Sequence, residues 1–145
     1  MYPDFYIREY TDSDYPEMIR LWESLGLGGE FRGDDLKVIR RTIEMGGQIL
    51  LMIEKSSDSI VGTSWLTVDG RRTFLHHFGI KSNHQGNGLA KILLDASMKL
   101  AKTNGMQIKL EVHKDNIKAL GLYKKAGFTY LGDYQVYIIR DISGL

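Results

Sequence analysis

Apolar residues return along the chain with two periods, and the switches between them mark out the elements. Residues 5–10, Phe5-Tyr6-Ile7-Arg8-Glu9-Tyr10, read as a first strand. Asp14 with Glu17 three residues later reads as a capping box, and Pro16 falls in the first turn, where a missing N–H costs nothing. Tyr15, Met18, Trp22 and Leu25 then recur at helical spacing until Leu25-Gly26-Leu27-Gly28-Gly29 stops the helix. Asp34 and Asp35 stand where a second helix is capped; its stripe is Leu36, Ile39 and Ile43, and it stops at Gly46-Gly47. The apolar segments 48–54 and 59–68, joined by Lys55-Ser56-Ser57-Asp58, predict a β-hairpin, and a strand over 73–80 follows the turn Asp69-Gly70. Leu89, Ile92, Leu93, Ala96 and Leu100 share one face opposite Lys91, Asp95 and Lys99, which predicts an amphipathic helix over 88–102. A strand over 106–112, a short helix from Asp115 or Asn116 to Lys125 stopped by Gly127, and a terminal hairpin over 128–142 turning at Gly132-Asp133 complete the order. That order predicts a mixed α/β (α+β) fold: a mostly antiparallel sheet, about four helices and one strand–helix–strand crossover.

Composition narrows the classes. With 145 residues and no repeat, low-complexity tract or linker, one domain over 1–145 is the simplest reading. Nineteen Lys+Arg against eighteen Asp+Glu leave a net charge of +1, too little excess to hold a nucleic-acid backbone. The absence of cysteine removes disulfides, thiolate metal sites and cysteine nucleophiles, and suits the cytoplasm. The start, MYPDFYIREYTDSD, lacks the apolar run of a signal peptide, and no stretch nears the roughly 18 apolar residues of a membrane span. Neither nucleic acid nor membrane is expected as a partner.

Glycine departs from this plain composition, at 16 residues of 145 against a usual ~7%. The informative stretch is Ile80-Lys81-Ser82-Asn83-His84-Gln85-Gly86-Asn87-Gly88-Leu89-Ala90, between a predicted strand and the strongest predicted helix. A helix N-terminus presents unpaired N–H groups and a partial positive charge, and small residues let an anion reach them. No Walker lysine–serine pair follows, and the spacing is not that of dinucleotide folds. Gln85-x-x-Gly88-x-Ala90 resembles the Gln/Arg-x-x-Gly-x-Gly/Ala signature of the GNAT N-acetyltransferases. Downstream, Asn116-x-x-Ala119-x-x-Leu122-Tyr123-Lys124-Lys125-x-Gly127-Phe128 resembles the same family's second signature. The likeness covers 73–130 well; the first 70 residues share element order only.

The resemblance implies an enzyme that carries acetyl from acetyl-CoA directly to a primary amine, with no metal. The implied donor site is the strand end Phe78, Gly79 and Ile80, the loop Gln85, Gly86, Asn87, Gly88, Leu89 and Ala90, and Asn116, which can equally cap its helix. Tyr123 inherits two roles, coenzyme contact and general acid for the departing thiolate. For the amine's proton, three readings stand: His76 on the strand before the loop, Glu111 in Leu110-Glu111-Val112, or water. That tripeptide resembles the one in which ribosomal-protein-type N-acetyltransferases carry their base. By period 2, His76 and His77 point to opposite faces, and His77, His84 and His113 read as surface or packing residues. The acceptor, a small-molecule amine or a peptide or protein amine, would meet residues 25–33, with Glu30 and Arg32, and the terminal hairpin with Tyr130, Tyr134 and Tyr137. Family members are often dimers, which leaves a homodimer open. The competing class is a non-catalytic acyl-CoA sensor or interaction module on the same fold, which would need the loop but not Tyr123.

Overall fold

Three apolar segments separated by short turns form a meander, and the longer connections carry the helices. The computed structural model describes residues 4–145, so Met1–Pro3 of the acidic start lie outside the described residues. Strands β1 (Phe5–Glu9), β2 (Gln48–Glu54), β3 (Ser59–Val68), β4 (Arg72–Ile80) and β5 (Gln107–Leu110) make one sheet in that spatial order. The first four pair antiparallel, and β5 joins β4 in parallel through the crossover helix. The helices are α1 (Tyr15–Ser24), α2 (Leu36–Glu44), α3 (Leu89–Asn104) and α4 (Ile117–Ala126). Two compact units result: Met1–Glu111, which contains the sheet, and Val112–Leu145, which contains α4.

The sheet unit is held from both sides. Ile49, Leu51 and Ile53 of β2 join Ile60 and Trp65 of β3 in a cluster with Met18, Ile19, Leu21 and Trp22 of α1 and Ile39 of α2. Leu50 and Met52 alternate onto the other face, and α3 packs on β2, β3 and β4 with Leu89, Leu93 and Leu94 fully buried. Burying a Leu- or Trp-sized side chain is worth roughly 1.5–3 kcal/mol, so these residues dominate the unit's stability. Several polar groups inside are paired, whereas the buried hydroxyls of Tyr10 and Thr73 have no hydrogen-bond partner among the described residues. The Trp22 indole N–H donates to Thr63 Oγ1 at 3.2 Å, the Trp65 indole N–H to Thr42 Oγ1 at 3.1 Å, and the hydroxyls of Ser64 and Ser97 meet at 2.7 Å.

The helix ends follow the sequence with one shift. Asp35 caps α2 by accepting the Val38 N–H at 3.0 Å, and Asn116 caps α4 by accepting the Ala119 N–H at 3.2 Å. At α1 the expected Asp14–Glu17 box is absent. Asp14 instead turns back to accept the Thr11 N–H at 2.8 Å and both terminal nitrogens of Arg8 at 2.7 and 2.8 Å. Glu17 accepts the Ile60 N–H of β3, so its carboxylate ties helix to sheet.

The terminal hairpin is not formed. Residues 128–142 pair with no strand among the described residues, and one backbone bond marks the bend, from the Tyr134 N–H to the Leu131 C=O at 3.4 Å. Tyr130, Tyr134 and Tyr137 are 89%, 78% and 85% exposed. An alternating pattern gives side chains a preference for a sheet face, but backbone donors still need an edge to pair with.

Candidate active site

β4 is irregular where it matters. Trp65 opposes His76 and Thr63 opposes Gly79, so the single residue Ser64 faces the two residues His77 and Phe78. This β-bulge is accommodated by His77, whose φ of 45° lies in the left-handed region. A non-glycine residue held there costs about 1–3 kcal/mol and persists only where its surroundings enforce it. The bulge shifts the phase of the side chains. Both imidazoles consequently pack against the same Trp65 ring, His76 at 5.9 Å and His77 at 5.2 Å between centroids. The expectation that the adjacent histidines point apart fails here because period 2 does not survive a bulge.

The two rings are held differently. His77 meets the Trp22 ring edge-on at 4.5 Å, and its Nε2 lies 2.8 Å from Asp34 Oδ2. Asp34, read as a helix cap, leaves that task to Asp35. Gly28, at φ +112°, wraps this pair: a Cβ there would stand 3.2 Å from His77 Nε2, 3.3 Å from Asp34 Oδ2 and 3.3 Å from Arg32 Cδ. His76 shares a hydrogen bond of 2.8 Å with Thr67 Oγ1 and stacks on Phe74. Surrounding rings desolvate it and push its pKa below the ordinary imidazole value, with the neighbouring His77 adding to the effect. Glu111 follows the end of β5 as an exposed side chain.

The strand end and the loop form a second feature. β4 pairs with β5 only from Arg72 to Leu75, and beyond Leu75 no β5 residue is its partner. Phe78, Gly79 and Ile80 therefore lie where the two strands no longer pair. Leu25 and Leu27 cover Gly79 so closely that a Cβ there would sit 2.9 Å from Leu25 Cδ1. Next, the 3-10 turn Ser82–His84 leads to Gln85, whose amide donates back to the Ile80 carbonyl at 2.8 Å and closes the loop. His84 is tied to Glu54 at 3.0 Å, and the Asn87 amide reaches the His84 carbonyl at 3.3 Å. Gly86 and Gly88 both take positive φ, at 82° and 78°. No side chain caps α3, and the position of a Cβ on Gly86 is open space. Leu89 is buried and anchors the first turn, while Ala90 is half-buried beside it. Uncapped N–H groups beside an open glycine turn can receive an anion.

In the second unit, Asn116 is spent on its cap and Tyr123 is 8% exposed, edge-on to Phe128 with 5.6 Å between ring centroids. Burial pushes the Tyr123 phenol up to about 12. Among the described residues, no group of three or more His, Cys, Asp or Glu could hold a metal ion.

A family model described as "Acetyltransferase (GNAT) family" matches residues 4–128. The chain belongs to the GNAT acetyltransferases. An acetyltransferase of this family from Staphylococcus aureus Mu50 is 25% identical, with 90% of this chain and 88% of that chain covered at a TM-score of 0.78. Glucosamine-6-phosphate N-acetyltransferase from Arabidopsis thaliana is 20% identical, with coverage of 94% and 99% and a TM-score of 0.74. A predicted acetyltransferase from Clostridium acetobutylicum, solved with acetyl-CoA, is 16% identical over 92% and 96%, also at 0.74. The family match ends at 128, just past the end of α4 at Ala126. GNAT enzymes use acetyl-CoA as cosubstrate. Sequence reasoning missed the Asp34–His77 pair. Its available signal was the surplus aspartate, because one cap needs only one carboxylate.

Proposed function

We propose that this GNAT chain is an N-acetyltransferase that moves acetyl from acetyl-CoA to a primary amine, either of a small molecule or of a protein N-terminus or lysine. The observation that carries the reading is the strand–glycine loop–helix arrangement, with α3 uncapped, Gly86 open and β4 freed from β5 beyond Leu75. In this reading the amides around Gln85, Gly86, Asn87, Gly88, Leu89 and Ala90 hold the pyrophosphate. Phe78, Gly79 and Ile80 align the acyl arm through their backbone, as an added strand would pair with an edge. The donor supplies an activated thioester carbonyl when bound.

Tyr123 supplies the proton that leaves on sulfur. Its phenol, raised to about 12 by burial, stays protonated across the working range. Against a thiol of about 8.5 this transfer is uphill by roughly 3.5 units, or about 5 kcal/mol at 1.36 per unit. The burial that raises the phenol would raise the thiol as well, so the gap in place is smaller. Asn116, engaged in its cap, would contact the coenzyme only through its remaining N–H groups. For the acceptor's proton, His76 and Glu111 are the side chains that the sequence offers. The Leu110-Glu111-Val112 likeness to ribosomal-protein-type enzymes makes a protein N-terminus one acceptor to include.

The test is calorimetric titration with acetyl-CoA, followed by thiol release against a panel of amines and peptide N-termini. Binding with release is the expected result. Binding without release on any amine would make the chain an acyl-CoA sensor, and no binding at millimolar coenzyme would remove both readings.

A further inference from the structure

The Asp34–His77 pair is more elaborate than packing requires. His77 sits at a bulge with φ 45°, edge-on to Trp22 and near Trp65, with Nε2 on Asp34 at 2.8 Å. Gly28 leaves the space that lets the α1–α2 connection close around both partners. The remaining ring nitrogen, Nδ1, has no hydrogen-bond partner among the described residues, and the His77 side chain is 15% exposed. A carboxylate on one imidazole nitrogen fixes the tautomer and leaves the other nitrogen with its lone pair outward. The titratable groups that face the ring are Asp34 from the connection and His76 from β4, while α1 and β3 present Trp22 and Trp65. The pair stands within two residues of Gly79, on the strand end assigned to the acyl arm.

We propose that His77, oriented by Asp34, is the base that deprotonates the acceptor amine in this GNAT enzyme, with Nδ1 as the accepting atom and Asp34 as the positioning residue. This rests on the transferase reading above. The acceptor ammonium gives one proton to Nδ1, and the free amine forms a C–N bond to the thioester carbonyl. The C–S bond then breaks, the nitrogen's second proton is lost as the amide forms, and one proton ends on sulfur with Tyr123 as its relay. His77 returns its proton to solvent, so each turnover yields amide, thiol and one proton. A bound Nδ1 contact with substrate makes His77 a catalytic residue, and it displaces His76 and Glu111 from that role.

The test assays the full chain at saturating acetyl-CoA with primary amines whose pKa runs from about 7.7 to about 10.4. His77→Gln is expected to lower kcat by about 10²-fold or more, with the loss greatest for the most basic amine and acetyl-CoA binding unchanged. Asp34→Asn should give a smaller loss with the same dependence on amine basicity, and it serves if His77→Gln fails to fold. Without turnover, long-range 1H–15N spectra should show the neutral His77 ring protonated on Nε2. A kcat for His77→Gln within twofold of wild type, a loss uniform across the amines, the Nδ1–H tautomer, or the whole loss falling instead on His76→Gln or Glu111→Gln would overturn the proposal. Wild type that transfers to no amine would overturn the transferase reading and the base with it. An active wild type with an equally active variant would remove the base alone.

Discussion

Gly28 shows how much one missing Cβ can carry. At φ +112° an L side chain is strained, and a methyl would press on His77 Nε2 and Asp34 Oδ2 from 3.2 and 3.3 Å. Gly28→Ala is expected to cost about 1–3 kcal/mol in urea unfolding. Gly26→Ala, at φ +66° with open space around its Cβ, should cost only the left-handed strain of about 1–2 kcal/mol. A Gly28→Ala protein no less stable than Gly26→Ala would mean that the loop gives way freely. Tyr123→Phe is expected to lower kcat by about 10²-fold while acetyl-CoA affinity holds, and to remove from the ultraviolet titration a phenol ionising near 12. At this scale the sequence was legible where backbone conformation follows motif, as at the positive φ of Gly86 and Gly88. It was silent at His77, because a bulge adds one residue without any signature in hydrophobicity and so reverses the inferred facing.

At the scale of elements, ends decide more than middles. Two N–H groups of Arg8 hold the Asp14 carboxyl below its usual range, with the Thr11 N–H adding to the effect. A lowered native pKa means that this stabilisation is complete above the unfolded value of about 3.9 and is lost as pH falls through the native one. Asp14→Asn should therefore be less stable than wild type by about 1–2 kcal/mol at pH 7, with the gap closing on acidification towards pH 2. A gap independent of pH would show that the carboxylate's charge contributes nothing. Removing the α2 cap with Asp35→Ala should cost about 1 kcal/mol in urea unfolding. Element types were legible almost throughout, since α1, α3 and the meander carry clear periods. The α1 box was misplaced because Asp14 found a bidentate arginine partner across the turn, and partners distant in sequence leave no local pattern.

At the scale of the whole molecule, the chain's last residues differ from the sheet unit in carrying no strand. Between 128 and 142, Tyr130, Tyr134, Val136, Tyr137, Ile138 and Ile139 are exposed, and no described strand takes their backbone bonds. Limited chymotrypsin digestion is expected to cut first after Tyr130, Tyr134 or Tyr137, well before any aromatic bond of the sheet unit. First cleavage at Trp22 or Trp65 would contradict this. The pattern of residues 128–142 is legible as amphipathic, but whether an edge is offered to it is a property of the fold. The sheet itself has a history written in its connections. β2, β3 and β4 are joined by turns at 55–58 and 69–71, whereas β5 reaches β4 only through 81–106 and pairs with it over the four residues 72–75. Closing the longer loop costs more entropy and is rewarded by fewer bonds, so the meander forms early and β5 zips on late. By the same balance β5 is the strand that detaches most readily from the finished protein. Amide exchange should find Ile108 and Leu110 opening at lower free energy than Leu51 or Thr63. The place where β4 and β5 part is thus also where the sheet is expected to open first.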